Sequence, residues 1–486
     1  MLSKLVAGIL QLVVATTLTS CATYGGASIE TSDDGTQLDS LREISVETLR
    51  ARSFESTLYL EKKLGGQRGE SEYSRAYADT GSGPYETYLA SYNSDGLRIY
   101  TRIDLPNSPA PEGGYPVIVF CHGWVGIEAA PDFHFSYTPV SMYAELIDGY
   151  VDAGFVVLTP GYRGHGTVNG VAADGIEFMA AWDNATYIAP SFYAIDVLNL
   201  LEGVGSIGSL DFVSLGGIER TSIAVDLDRI FLSGHSQGGD VALTVLAVAG
   251  EGSALQTKPA AASISDGTFA PRLAQLEFYS ALQGTRRSFL AGDGSWTGTA
   301  VSSDGSVNPE FVFGYPPDWI ETPQPSEWTW QAERWPDIPV FEAFEMRTRE
   351  LYEKLNAQVG DLSSANFSST RGHDGAPFLA HDDRVSSGMS AIGGFDRPQY
   401  LSEPMILHYS DQDFYSPPDW NLELCRKANA SGGNCAAFLY ENNSHLMRAS
   451  EYEWFSPRGT KDSYRTILAR DIRFFLGFDP ADIDFP

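Results

Sequence analysis

The stretch that most narrows the possible folds runs from Arg229 to Leu243, RIFLSGHSQGGDVAL. An apolar, β-rich run passes without a linker into the helix-forming run GGDVALTVLAVA, and Gly234-His235-Ser236-Gln237-Gly238 occupies the junction. A turn that tight leaves no room for side chains around the serine, so glycine at 234 and 238 reads as a steric requirement. A serine placed there stands at the tip of the turn and at the amino end of a helix, where backbone amides and the helix dipole favour negative charge. The pentapeptide is short enough to recur by chance in a chain of 486 residues. Its meaning depends on what the rest of the chain delivers to the same edge.

Three runs share one grammar. PVIVFCHG, FVVLTPGYRG and RIFLSGHSQGG stay mostly apolar until a glycine-rich, polar end, with helical segments at Tyr143–Ala153 and Tyr193–Leu201 between them. Strands apolar on both faces are buried on both, and their alternation with helices makes a parallel sheet covered on each side. The carboxyl ends of such strands meet at one edge. That edge collects His122, Gly123 and Trp124, then Arg163 and His165, then Ser236. Ahead of these lie a strand at Leu58–Lys62 and a hairpin, YNSDGLRIYTRIDLP, turned on Ser94-Asp95-Gly96. A further strand ends just before Asp266. The rhythm stops from about Thr268 to Pro398, a stretch with prolines, a helix near 340–359 and Trp296, Trp319, Trp328, Trp330 and Trp335. It resumes with PMILHYSDQD and AAFLYENNSHLM and closes on the helix SYRTILARDIRFFLG. The fold expected is α/β, with a mostly parallel central sheet and helices on both faces. Its core spans 46–267 and 399–486, and a long lid insertion, 268–398, follows the sixth strand. The absence of any fixed-period repeat argues against a solenoid or propeller.

The net charge of −31 would repel nucleic-acid phosphates and anionic lipid, which argues against a polyanion-binding role. The amino terminus reads as a signal segment: one lysine, an apolar run from Leu5 to Leu18 that is too short to span a bilayer, then Leu18-Thr19-Ser20-Cys21. That tetrapeptide resembles a bacterial lipobox. It implies cleavage after residue 20, a lipid on Cys21, and a tether over 21–45 whose first part, ATYGGASIETSDDGTQ, is polar and glycine-rich. Export to the cell envelope, with the membrane engaged through that anchor only, places the chain in an oxidising compartment. A disulfide between Cys425 and Cys435 would then be structural. Cys121, at the end of VIVFC, reads as a buried small residue.

A serine nucleophile needs a base, an acid to orient the base, and amides to hold an oxyanion. G-x-S-x-G between a buried strand and a helix resembles the nucleophile elbow of the α/β-hydrolases, in which the acid and then the histidine follow the serine. The histidines after Ser236 are His373, His381, His408 and His445. His445 follows the last apolar strand, where a loop would carry the base; His408 lies inside a strand, and His373 and His381 lie in an irregular stretch. Asp413 is the acid favoured by Ser410-x-x-Asp413-x-x-Ser416-Pro417, with Asp411 and Asp266 as rivals. The oxyanion donors expected are the amides of Gln237 and Trp124. No spaced Cys/His cluster of the zinc type is present, and neither metal nor cofactor is expected.

SDGLRIYTRIDLP, YPVIVFCHGW, GFVVLTPGYRGHG, VDLDRIFLSGHSQGG and PMILHYSDQDFYSPP are similar to the catalytic domain of the prolyl oligopeptidase family and related esterases. The similarity covers roughly Tyr92–Asp266 and Pro404–Gly477 and leaves the insertion unmatched. Members of that family carry an amino-terminal propeller that filters peptides, and the residues between the tether and Tyr92 are too few to build one. The resemblance therefore implies a stand-alone serine esterase, or a hydrolase of short peptides, working through Ser236, Asp413 and His445. For a peptidase, Glu327 or Glu333 in the insertion could hold a substrate's amino terminus. A binding protein that uses the fold without catalysis is the remaining alternative.

Overall fold

The computed structural model describes residues 37–64, 85–124, 140–168, 170–176, 182, 187–217, 223–279, 340–371, 377–410, 413, 416–441, 445, 447 and 461–477. Among these, nine strands form one sheet: β1 Tyr59–Leu64, β2 Tyr85–Ser94, β3 Leu97–Pro106, β4 Tyr115–Cys121, β5 Val156–Pro160, β6 Val225–His235, β7 Ala261–Ser265, β8 Met405–Ser410 and β9 Cys435–Tyr440. Their spatial order is β1-β2-β3-β5-β4-β6-β7-β8-β9. The first three strands and the β3–β5 contact are antiparallel; from β5 to β9 every pairing is parallel. The sheet is mixed and mostly parallel, as expected. The strand before Asp266 is seventh in the sheet, because β1 adds one at the edge.

The strands are apolar throughout because successive side chains enter two separate cores. In β4, Val117, Val119 and Cys121 pack on one side, and Ile118 and Phe120 on the other. Ile230 and Leu232 of β6, and Met405 and Leu407 of β8, join the first core; Phe231 and Ile406 join the second. The first core is closed by α2 Ala189–Gly203 and α3 Gln237–Ala249, and the second by α1 Val140–Asp152 and α4 Lys461–Phe475. Each buried Leu, Val or Phe contributes about 1.5–3 kcal/mol relative to exposure. The pattern that the sequence presents as uninterrupted hydrophobicity is thus two interleaved period-2 patterns.

Burial places two stretches beside the expected boundaries in the core. Residues 38–45, read as the end of the tether, belong to the fold: Leu38 bridges Val359, and Leu41 and Ile44 lie in the first core. The later part of the expected lid is also core. Leu351, Tyr352, Leu355, Val385, Met389 and Phe395 join the same cluster, and Gly394 sits so close to the carbonyl of Leu243 that a Cβ there would lie 2.6 Å from its oxygen. Apolar spacing in 340–398 announces helices but not which surface they cover, and they cover the sheet's own helix layer. Residues 280–339, with the five tryptophans, Glu327 and Glu333, lie outside the described residues, as do the signal segment and Cys21.

Cys425, in the helix Pro418–Ala430, is disulfide-bonded to Cys435 at the start of β9. Cys121 is a free, fully buried thiol whose pKa burial pushes up to about 12, so it is a packing residue and not a nucleophile.

Candidate active site

Ser236 lies where β6 ends and α3 begins, with φ 56° and ψ −129°. A non-glycine residue at positive φ carries roughly 1–3 kcal/mol of strain and persists only where its surroundings fix it. They do so here. The Ser236 amide donates to the carbonyl of Ser265 at 3.2 Å, and its carbonyl accepts from the amides of Gly239 and Thr268 at 2.9 and 3.0 Å. A Cβ on Gly234 would lie 2.7 Å from the carbonyl oxygen of Gly238. One on Gly238 would overlap the carbonyls of Cys121 and His122. The glycines let β4, β6 and the helix start crowd together, and the serine side chain is turned out of that contact.

Sheet register brings the other groups to the same edge. Cys121 is paired with Gly234, His235 with Ser265, and Ser265 with His408. The residues that follow these strands therefore emerge side by side. Gly123 faces the serine so closely that a Cβ there would lie 3.0 Å from Ser236 Cβ. Trp124, next in that loop, and Gln237, the first residue of α3, are both half-buried. The Gly123 amide itself is engaged, donating to the Tyr143 hydroxyl at 3.0 Å.

His445 Nε2 lies 2.8 Å from Ser236 Oγ, and His445 Nδ1 lies 2.8 Å from Asp413 Oδ2. A carboxylate oxygen only accepts, so Nδ1 carries the ring proton and Nε2 presents a lone pair to the serine hydroxyl. The other carboxylate oxygen of Asp413 accepts from the Ser416 amide at 2.9 Å. Ser416 is tied in turn through its hydroxyl to the Gly267 carbonyl and to Asn421. The acid is held at both oxygens on a pinned loop. A hydroxyl so placed can lose its proton to the ring as it attacks, while the ring is held in one tautomer by a fixed acid.

Of the rival acids, Asp411 lies outside the described residues. Asp266 is fully buried behind Asp413, where its Oδ1 accepts from the Ser410 amide at 3.0 Å. Burial first, and then the charge of Asp413 beside it, push the Asp266 carboxyl upward. Asp266 therefore stands behind the acid and not against His445. Of the other histidines that follow Ser236, the described ones are occupied elsewhere. His408 is buried between Asp471 and Tyr440, His381 contacts Tyr352, and His373 lies outside the described residues. Arg163 makes a buried, multidentate pair with Asp196, and His165 Nδ1 lies 2.9 Å from the Arg163 carbonyl oxygen, so the GYRGHG turn is structural here.

The sequence reading passed over His235, the variable residue of the G-x-S-x-G pattern. Its ring is buried, with Nδ1 2.8 Å from the Tyr143 hydroxyl and Nε2 2.8 Å from the carbonyl oxygen of His445. Burial first, then the neighbouring His445, lower its pKa to about 3. The available signal was a histidine at the last position of a strand buried on both faces, which cannot point to solvent.

No known family model matches the chain, and no curated protein sequence matches it. Solved structures similar to it include an acylaminoacyl peptidase from Pyrococcus horikoshii, with 14% identity and TM-score 0.42 over 86% of this chain and 46% of that one. An acetyl xylan esterase from Paenibacillus sp. R4 is 16% identical over 87% of this chain and 92% of that one, with TM-score 0.39. A butyrate-bound esterase from the planctomycete Thermogutta terrifontis is 13% identical over 79% of this chain and 90% of that one, with TM-score 0.37. The chain thus spans less than half the length of the peptidase it matches.

Proposed function

We propose that the chain is a serine hydrolase that cleaves carboxylic esters through an acyl-enzyme intermediate. The observation that carries this reading is the continuous chain Ser236 Oγ, His445, Asp413 at a strained strand-to-helix turn. In the reaction, His445 Nε2 takes the hydroxyl proton as Ser236 Oγ bonds to the acyl carbon. The amides of Gln237 and Trp124 hold the oxyanion, and each such donor contributes about 100- to 1000-fold to turnover. The alcohol leaves with the proton held by His445. Water then enters, gives a proton to the same nitrogen and attacks the acyl carbon; His445 returns that proton to Ser236 Oγ as the acid is released, and Asp413 stabilises the imidazolium in both halves.

The same chemistry serves a peptidase. The ester reading is the one the resemblance in sequence implies, and the peptidase is its alternative. Turnover of p-nitrophenyl esters of graded acyl length, measured beside aminoacyl p-nitroanilides and with Ser236→Ala as control, separates the two. Ester turnover that depends on Ser236 supports the reading; turnover of the anilides alone replaces it with the peptidase.

Export with a lipid on Cys21 completes the proposal. The Cys425–Cys435 disulfide suits an oxidising compartment. A fatty-acid analogue fed to expressing cells should label the wild type and not Cys21→Ser; equal labelling of both removes the anchor from the account.

A further inference from the structure

The elbow histidine links the two halves of the site. His235 Nε2 faces a carbonyl oxygen, which only accepts, so in the neutral ring Nε2 carries the proton and donates to His445. Its Nδ1 must then accept, and the Tyr143 hydroxyl is the donor. With its proton committed, the tyrosine oxygen accepts from the Gly123 amide. Every link has a single consistent direction: Gly123 N–H to Tyr143 O, Tyr143 O–H to His235 Nδ1, His235 Nε2–H to His445 carbonyl. The three distances are 3.0, 2.8 and 2.8 Å. One end of this relay is the loop that carries Trp124 and touches the serine. The other is the main chain of the residue whose ring faces Ser236. Its centre is fastened to the nucleophile by one peptide bond.

We infer that His235 is a positioning residue that holds the His445 main chain and the Gly123–Trp124 loop in register with Ser236 through one neutral imidazole. The inference rests on the proposed serine-hydrolase reading. The physical need for such a device is visible in the loop. His445 follows β9 by several residues and aims a ring at a hydroxyl 2.8 Å away, where a displacement of about 1 Å costs on the order of 100-fold in rate. A ring that stays neutral suits the role, because an imidazolium would present a second donor to the Tyr143 hydroxyl and reverse that link. Burial of His235 between α1, the oxyanion loop and His445 keeps it neutral well below physiological pH.

Two measurements test it. The first does not use activity: ¹⁵N-histidine NMR of the full chain from about pH 5 to about pH 9. The inference expects His235 as the Nε2–H tautomer throughout, with its Nδ1 resonance moving in Tyr143→Phe. An Nδ1–H tautomer, or titration within that range, overturns the relay. The second is kinetic. His235→Phe keeps the ring volume and removes both links, and is expected to lower kcat by about 10- to 100-fold while KM changes by less than about twofold. His235→Gln places an amide donor near the original Nε2 and is expected to recover most of that loss. A packing role predicts instead that both variants lose melting temperature alike with kcat near wild type, and that outcome overturns the inference. If the wild type turns over no ester or amide while the NMR tautomer is as expected, the hydrolase reading fails and the relay remains as a structural fact of the elbow.

Discussion

Among the described residues, serine, histidine and aspartate come together both at the strand ends and deep in the second core, and the two places are wired differently. At the strand ends, the Ser236 hydroxyl points at His445, and His445 points at Asp413. Deep in the second core, His408 of β8 reaches Asp471 of α4 at 2.8 Å, and Ser263 of β7 reaches the same carboxylate at 2.6 Å. Tyr150 donates to the other oxygen of Asp471 at 2.5 Å, and Tyr440 lies 2.9 Å from His408 Nδ1. Here the carboxylate is the hub. The serine donates to the acid, no lone pair of a base waits for its proton, and the serine and histidine sit inside strands where backbone is regular. This cluster joins the sheet to the carboxy-terminal helix. The difference lies in sequence of contacts and backbone strain, not in residue types.

The comparison breaks most visibly through the serines. Ser236→Ala should lower turnover by about 10⁵- to 10⁶-fold with little change in melting temperature, as measured by ester kinetics and calorimetry. Ser263→Ala should do the reverse, keeping turnover and lowering stability by about 1 kcal/mol. The acids come next. Asp413→Asn should lower kcat by about 10⁴-fold in the same assay, because the amide lets the wrong tautomer of His445 form. Asp471→Asn should leave kcat within about twofold below the transition, while denaturant unfolding shows a loss of about 1–3 kcal/mol for each donor left facing the amide nitrogen.

A smaller effect concerns acid. His122 and His235 are both held near a pKa of about 3 against an ordinary 6.5, in each case by burial first. Between those values the unfolded chain binds protons that the folded chain refuses, so stability falls as pH drops from 6.5 toward 3. Urea unfolding over that window should show the fall, and His235→Gln should reduce its slope by about 1.4 kcal/mol per pH unit, one proton's worth. An unchanged slope would mean that His235 titrates in the folded state.

How much of this the sequence announces differs between the same two regions. The elbow is legible because Gly234 and Gly238 answer a steric demand that no other residue meets. His445 and Asp413 are legible as positions because they follow apolar strands whose ends share an edge. The buried cluster has no such signature: Ser263, His408 and Asp471 lie on three separate elements, and nothing in their spacing sets them together. His235 is hidden for a related reason, since its partners are a hydroxyl on α1 and a main-chain carbonyl far along the chain. Helical periodicity in 340–398 specifies an apolar face without specifying its partner, which in the structure includes Leu41 and α3.

The proposal turns on activation of Ser236. Mass-spectrometric mapping of the folded chain after reaction with a fluorophosphonate, with Ser236→Ala and Ser263→Ala treated alongside, tests it directly. The account expects one adduct, on the peptide that carries Ser236, lost in the first variant and kept in the second. An adduct on any other serine, or none on a folded chain, would contradict it.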